Sequence, residues 1–204
     1  MRVLAIETST PQGSVAVCQE GTLLFEERFF TQMKNREDTL WRVLEHAVKN
    51  EGRVNRIAVG TGPGLYNGIR SAIALAAGLK IAWKIVLCGI PSILGIKSSE
   101  DRYAVVGDAR GEALFFGTIF GNYLENFQLL SRADFHKHLQ TWLFQTDGAP
   151  IYATAPIAAF PELPILPPTA EKLASLAEEY PTSEAAPSPF YLKPPHTQSI
   201  RLSL

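Results

Sequence analysis

The chain has 204 residues, of which 46% are hydrophobic and 19% charged, and its formal net charge is -1. This composition excludes an intrinsically disordered chain, and the balance of charges excludes the positive field that would hold nucleic acid by counterion release. The two cysteines, Cys18 and Cys88, are too few for a disulfide framework and lack the Cys-x-x-Cys spacing of a metal site. We therefore expect a reducing cytosolic environment and about one or two domains.

The hydropathy pattern predicts neither a signal peptide nor a membrane span. The first apolar run ends at Glu7, far short of the apolar core of a signal peptide. The most apolar stretch, residues 79–96, is interrupted by Lys80, Lys84 and Pro91, whereas a bilayer needs roughly 20 apolar residues in succession. These features predict a protein of the cytoplasm.

The first hundred residues predict three strands, followed by helices that alternate with strands. Apolar runs between Gly and Pro turns indicate the strands, which can form a meander, and apolar residues at spacings of three and four indicate the helices. We expect Asn35 and Asp38 to cap the first helix as a pair, and Asn67 to cap the second. The predicted elements in chain order are strands at 3–6, 14–17 and 22–30, a helix at 35–50, a strand at 56–60, a glycine-rich loop at 61–66, a helix from 68 to about 81, and a strand at 85–88.

A polar segment at residues 97–101 marks the predicted boundary between two parts of the chain. The second part repeats the order of strands and then helices, which indicates an α/β fold with mixed sheets. We divide the chain into a lobe at 1–100 and a smaller lobe at 101–204 with a proline-rich tail. The predicted elements of the second lobe are strands at 103–106 and 113–120, a helix at 132–144, a strand at 150–153 and a helix at 170–180.

The helix that begins at Gly68 has almost no polar face, so it must be covered on two sides, and its own sheet covers only one. Ser71, Ala74 and Gly78 are small residues at helical spacing, which would let a second helix approach closely. Two coverings fit this pattern: the second half of the chain, or another protein. The same surface can be extended by three residues of the preceding helix, Leu40, Trp41 and Leu44.

The glycine-rich loop also allows two interpretations. Glycines before a helix let backbone N–H groups approach a phosphate at the positive end of the helix dipole. However, the loop has neither the Lys-Ser/Thr ending of a Walker loop nor a Gly-x-Gly-x-x-Gly pattern, and Arg70 follows Gly68. The alternative is a tight connection between strand and helix in which Pro63 presets the backbone.

The histidines do not predict a metal site. A helix presents two ligands on one face when they are three or four residues apart, whereas His136 and His138 are two apart. The sequence has no His-Glu-x-x-His segment and no nucleophile elbow around a serine or cysteine. It therefore lacks the motifs of a metalloprotease or a serine hydrolase.

Four segments resemble the TsaB (YeaZ) family. They are VLAIETST at 3–10, REDT at 36–39, GTGPGLYNGIR at 60–70 and AAGL at 76–79, with fainter similarity at 107–112 and 189–192. The resemblance covers the first hundred residues well and the remainder sparsely. The chain departs from the family pattern at Glu7, where Asp is usual, at Asp38, where His is favoured, and at 65–67, where a Ser-Phe-Thr-like triplet is usual.

The resemblance implies an actin-like, ribonuclease H-like fold of two lobes, with mixed β-sheets flanked by helices and a reduced second lobe. It implies a non-catalytic subunit that binds a TsaD-type catalytic paralogue. With a small TsaE-type ATPase, the complex would add threonylcarbamoyl to N6 of the tRNA adenosine beside the anticodon, and the chain would contact tRNA only through the complex. The implied partner interface comprises Glu37, Leu40, Trp41, Leu44, Ser71, Ala74, Leu75 and Gly78.

The same resemblance suggests where a nucleotide would bind. Actin-like kinases place an acidic residue for magnesium and hydroxyl groups for phosphate at the position of Glu7, Thr8 and Ser9. The Gly-Gly adenosine loop of those enzymes is replaced here by residues 153–156, and the His-x-x-x-His metal pair of the catalytic relatives is absent. We therefore expect no catalytic residue, no metal and no cofactor on the isolated chain, with ATP or ADP bound only in the complex. The candidate nucleotide or phosphate contacts are Glu7, Thr8, Ser9, Gly62, Gly64 and Asp108.

Two alternative functions stay open from the sequence. The chain could be an actin-like ATPase or small-molecule kinase that binds Mg-ATP through Glu7, Thr8, Ser9 and Asp108. It could also be a homodimer with another role, since an exposed helical stripe can pair with itself by two-fold symmetry.

Overall fold

The first half of the chain forms a five-stranded mixed sheet. The computed structural model describes residues 1–30, 36–182 and 185–192, with the backbone alone at 36–38. The elements are β1 (Arg2–Glu7), β2 (Gln12–Gln19), β3 (Thr22–Phe30), α1 (Arg36–Glu51), β4 (Arg56–Gly60), α2 (Tyr66–Trp83) and β5 (Val86–Ile90). The strand order is β3-β2-β1-β4-β5, in which β1, β2 and β3 are the predicted antiparallel meander and β4 and β5 run parallel to β1.

The second half forms a four-stranded mixed sheet. After a 3-10 turn at Ser92–Gly95 come β6 (Arg102–Asp108), β7 (Ala113–Phe120), β8 (Tyr123–Ser131), α3 (Arg132–Gln145), β9 (Ile151–Ala153) and α4 (Ala170–Leu176). The strand order is β8-β7-β6-β9, with β6 and β9 parallel and the other pairs antiparallel. Two mixed sheets flanked by helices confirm the predicted α/β fold class.

Helices α1 and α2 cover one face of the first sheet. Side chains alternate between the two faces of a strand, so Leu4 and Ile6 of β1 pack on this side with Ile57 and Val59 of β4. The helices supply the other half of this core, and all of its members are almost completely buried. The helical residues in it are Leu40, Val43, Leu44 and Ala47 of α1 and Ile69, Ala72, Ile73 and Ala76 of α2.

Helix α4 belongs to the second half of the sequence but packs on the opposite face of the first sheet. Its Leu173 and Ala174 share a core with Val3, Ala5 and residues of the second sheet. The backbone N–H of Ala170 donates to Ser14 Oγ at 2.8 Å, which ties the start of the helix to β2. The predicted boundary near residue 100 thus lies between the two sheets, while one buried core joins the two halves.

Three details differ from the sequence predictions. Helix α2 begins at Tyr66 with Leu65 as its N-cap, so the predicted Asn67 cap is wrong: the Leu65 N–H donates to Ser9 O at 2.7 Å, and docking onto the turn sets the helix start. Strand β8 was not predicted. Helix α4 ends at Leu176 rather than Tyr180. The predicted Asn35–Asp38 cap lies outside the described residues.

Within the part of the chain that the structure describes, no helix combines the length and the apolar character that crossing a membrane requires.

Candidate functional site

Helix α2 has an outward face made of small side chains. Its apolar residues Ile69, Ala72, Ile73 and Ala76 are buried against the sheet. Three small residues one helical turn apart point the other way and are exposed, and Ile81 in the last turn is 76% exposed. We call Ser71, Ala74, Gly78 and Ile81 the α2 face. The second half of the chain does not bury this face, because α4 and the second sheet pack on the far side of the first sheet.

Gly78 is not required by the packing of the chain itself. A Cβ built on Gly78 would meet no described atom within 4 Å. Glycine in a helix interior nevertheless costs about 1 kcal/mol relative to alanine. Gly78 therefore disfavours the helix, and no contact among the described residues requires a glycine at this exposed position. A flat surface that lets another molecule come close would account for the glycine.

Helix α1 contributes less to this surface than the sequence predicts. Leu40 and Leu44, which the sequence analysis assigned to the partner interface, are only 5% and 2% exposed and so offer little surface to a partner. They point at the sheet, whereas Trp41, turned about 100° around the helix from Leu40, is 54% exposed. The side chain of Glu37 lies outside the described residues, and Leu75 is half-buried. Ile81 was missed, although its position three residues after Gly78 continues the spacing of the stripe.

A second candidate site is the turn after β1, which we call the polar turn (residues 7–10). Glu7, Thr8 and Ser9 are all at least 98% buried. The turn is covered by the glycine-rich connection between β4 and α2, which we call the glycine loop (residues 61–65). A Cβ on Gly64 would lie less than 3.0 Å from the carbonyl oxygen of Ser9, so glycine is required for this contact. The loop therefore acts as a tight connection, as one of the two interpretations of the sequence holds.

The glycine loop is tied down on its other side as well. Gly62 N–H donates to Ser92 Oγ at 2.9 Å, and Ser92 N–H donates to Gly62 O at 2.7 Å. Thr61 N–H donates to Ile90 O at 2.9 Å and so continues the pairing of β4 with β5. The loop is thus fixed between the polar turn and the residues that follow β5.

The Glu7 carboxyl group is enclosed at the centre of this arrangement. Its Oε1 accepts from Ser9 N–H at 2.6 Å, while its Oε2 has no hydrogen-bond partner among the described residues. Burial raises the pKa of Glu7 above its ordinary value of 4.5, and the hydrogen bond from Ser9 N–H opposes that shift only in part. Burial thus favours the protonated, uncharged form of this carboxyl group in the folded chain.

We expect Glu7→Gln to gain stability relative to the wild type as the pH rises. The folded chain holds the Glu7 proton more tightly than the unfolded chain, so above pH 4.5 the wild type loses stability with increasing pH until it passes the raised pKa. Glutamine is neutral, keeps an acceptor for Ser9 N–H and does not titrate. Urea unfolding of both proteins from pH 5 to pH 8 measures the free energy of unfolding of the variant minus that of the wild type. This difference should increase with pH, and a difference that stays constant or decreases would contradict the raised pKa.

The structure brings some of the predicted nucleotide contacts together. Gly62 and Gly64 lie in the loop that covers Thr8 and Ser9. In this conformation the hydroxyl oxygens of Thr8 and Ser9 are buried beneath the chain's own backbone. Asp108 at the end of β6 is exposed, and its Oδ1 accepts from Arg110 N–H at 2.8 Å within its own turn.

Among the described residues, no three His, Cys, Asp or Glu side chains are grouped so that they could hold a metal ion. His46 instead pairs with Glu27, its Nδ1 lying 2.9 Å from Glu27 Oε2. His136 packs against the ring of Phe160, with ring centroids 4.9 Å apart.

Comparison with known proteins gives a consistent set of relatives. The family model described as "TsaD: tRNA N6-adenosine threonylcarbamoyltransferase" matches residues 34–133. The curated protein "tRNA threonylcarbamoyladenosine biosynthesis protein TsaB" from Escherichia coli is 28% identical over 120 residues, which are 54% of this chain and 51% of that protein. The chain thus spans about half the length of the curated relative that it matches.

Two solved structures from Pseudomonas aeruginosa share the whole fold. One, described as an uncharacterized protein with similarity to peptidase YEAZ, has a TM-score of 0.72 and 21% identity, and the match covers 94% of this chain and 99% of that one. The other, described as YeaZ, has a TM-score of 0.69 and 22% identity with the same coverage.

Proposed function

Because this chain belongs to the TsaB (YeaZ) family, we propose that it is a non-catalytic subunit in the synthesis of threonylcarbamoyladenosine on tRNA and binds a TsaD-type catalytic paralogue. The observation that supports this proposal most is the α2 face, which is exposed, built of small residues and centred on a glycine that has open space above it. The chain would act by holding the paralogue in an active conformation.

The α2 face suits another helix as its partner. Small side chains at Ser71, Ala74 and Gly78 allow the backbones of two packed helices to approach more closely than larger side chains would permit. Ile81 at one end offers an apolar side chain that is 76% exposed and can fill a pocket on the partner. A stable and specific complex buries about 1,600 Å² in total, so the contact would extend beyond this one helix. Trp41 on α1, which is also exposed, is a candidate for that extension.

The other components would meet the chain through the complex. A net charge of -1 offers no overall attraction for tRNA, so we propose that tRNA contacts this subunit only within the assembly. A small TsaE-type ATPase would be a further partner, and ATP or ADP would bind in the complex rather than to the isolated chain. We propose that the complex acts in the cytoplasm.

Reconstitution of the modification reaction tests the proposal. We expect purified TsaD-type paralogue, TsaE-type ATPase, ATP, an activated threonylcarbamoyl donor and tRNA to form threonylcarbamoyladenosine when this chain is added, and to form little when it is omitted. A denatured sample of the chain serves as the control for carried-over contaminants. Full modification without the chain would refute the proposed role.

Experiments on the isolated chain distinguish this proposal from two other functions, Mg-ATP binding and self-association. Mg-ATP binding by the isolated chain would require the polar turn to open, because the loop above it leaves its hydroxyl oxygens buried. Self-association through the α2 face would produce a symmetric homodimer, in which the same stripe packs against its own copy. Sedimentation of the chain alone and with the paralogue distinguishes the homodimer from the mixed complex.

A further inference from the structure

Residues 185–192, which we call the strap, lie across the glycine loop and the edge of the first sheet. Phe190 N–H donates to Thr61 O at 2.8 Å, so the strap is hydrogen-bonded to the backbone of the loop. Pro187 packs on β5 so closely that a Cβ on Gly89 would lie within 3.0 Å of it. The strap thus rests on the outer side of the loop whose inner side covers the polar turn.

Two aromatic contacts anchor the strap to separate parts of the fold. Phe190 meets Phe127 of β8 edge to face, with ring centroids 4.9 Å apart, which connects the strap to the second sheet. Tyr191 packs on Tyr66, the first residue of α2, with centroids 5.4 Å apart. Each such pair adds stabilisation beyond simple burial, although Phe190 and Tyr191 themselves stay more than a third exposed. Two partly exposed aromatic pairs can hold the strap in place, and they can also be broken without a large change in free energy.

The polar turn beneath has unused hydrogen-bonding capacity. Glu7 Oε2, Thr8 Oγ1 and Ser9 Oγ are buried and have no hydrogen-bond partner among the residues described. Burying unpaired polar atoms costs free energy, so their burial destabilises the closed loop. Other contacts must offset this cost if the loop is to stay closed. From outside, the loop is held by the hydrogen bonds that Thr61 and Gly62 make with Ile90 and Ser92, and by the strap.

We propose that the strap is a latch that keeps the glycine loop closed over the polar turn. When the strap leaves, the loop loses the hydrogen bond from Phe190 N–H to Thr61 O, and the first residue of α2 loses its aromatic neighbour. The loop can then lift from Ser9 and expose the hydroxyl groups of the turn, and Leu192 of the strap gives up its contact with the core between the two sheets. The inference concerns the isolated chain and does not depend on the proposed partner.

Amide hydrogen exchange resolved by residue tests the latch in the full-length chain. Three amides report on the closed loop: Ser9 N–H bonds to Glu7, Gly62 N–H to Ser92 and Leu65 N–H to Ser9. We expect Phe190→Ala and Tyr191→Ala to speed exchange at these amides by about tenfold. The buried amides of β6 serve as an internal reference and should exchange at the wild-type rate.

Two controls make the result specific. Tyr191→Phe keeps the ring that packs on Tyr66 and removes only the hydroxyl that hydrogen-bonds to Tyr66, so exchange should stay closer to the wild-type rate than in Tyr191→Ala. Phe144→Ala removes an aromatic ring that is 89% exposed on α3 and should change none of the three amides. Unchanged exchange in both strap variants would overturn the latch. So would faster exchange that is equal in the loop and in β6, because that result would mean general destabilisation.

Discussion

Gly68→Ala is expected to lower the free energy of unfolding by about 3 kcal/mol, although alanine is the better helix former. Gly68 lies in the first turn of α2, and a Cβ there would approach the carbonyl oxygen of Thr8 to less than 3.0 Å. That oxygen belongs to the backbone of the buried polar turn and cannot rotate away as the end of a flexible side chain would. The helix or the turn must shift, which would disturb the contact between Leu65 N–H and Ser9 O.

The matched control is the same substitution in the same helix. A Cβ on Gly78 would meet no described atom within 4 Å, so Gly78→Ala should raise the free energy of unfolding by roughly 0.5–1 kcal/mol. Both variants reduce the conformational freedom of the unfolded chain to the same extent, so their difference reports the native contact alone. Urea denaturation followed by circular dichroism measures both. Equal effects at the two positions, of either sign, would contradict the close packing of α2 on the polar turn.

Periodicity predicted most of the secondary structure because turn residues separate the elements clearly. The bounds of β3, β4 and β7 agree with the prediction to the residue. The turn before β3, for example, places Glu20 and Gly21 at φ angles of 50° and 75°, and glycine adopts this left-handed region without steric strain. Strand β8 was missed because it is an edge strand that carries Glu125 and Asn126 at exposed positions and Gln128 at a half-buried one, a composition that suggests a loop.

The sequence predicted the existence of an uncovered helix face but only part of its membership. Small residues at helical spacing pointed to Ser71, Ala74 and Gly78, and all three are exposed. The apolar stripe of α1 is wide, however, and its period does not determine which edge of the stripe meets the sheet. Packing decides this: it encloses Leu40 and leaves the adjacent Trp41 outside.

Contacts between distant segments could not be predicted from local pattern. Glycines in the loop indicated that some backbone approaches closely, but not that the neighbour is the turn at Thr8 and Ser9. Likewise, the sequence does not show that residues 185–192 return to the loop. Nor does it show that α4 packs on the far face of the first sheet and leaves α2 uncovered. Such pairings depend on the whole topology, and they determine whether Glu7 is an accessible ligand or an enclosed carboxyl group.

Ala74→Glu is expected to weaken binding of the TsaD-type paralogue on the order of 100-fold, because it would bury an unpaired charge at the centre of the proposed interface. Ala74 is exposed in the isolated chain and glutamate is a good helix former, so the fold should keep its stability. Ala133→Glu is the matched control, since it makes the same change at an exposed position of α3 on the other half of the molecule. Unfolding curves of both variants verify that the fold is intact.

The most direct measurement is a calorimetric titration of the paralogue into the wild type, Ala74→Glu and Ala133→Glu. If the α2 face receives the partner, the wild type and Ala133→Glu will bind with equal affinity and Ala74→Glu will bind far more weakly. If Ala74→Glu binds as tightly as the wild type, the partner sits elsewhere and the interface proposed here is wrong.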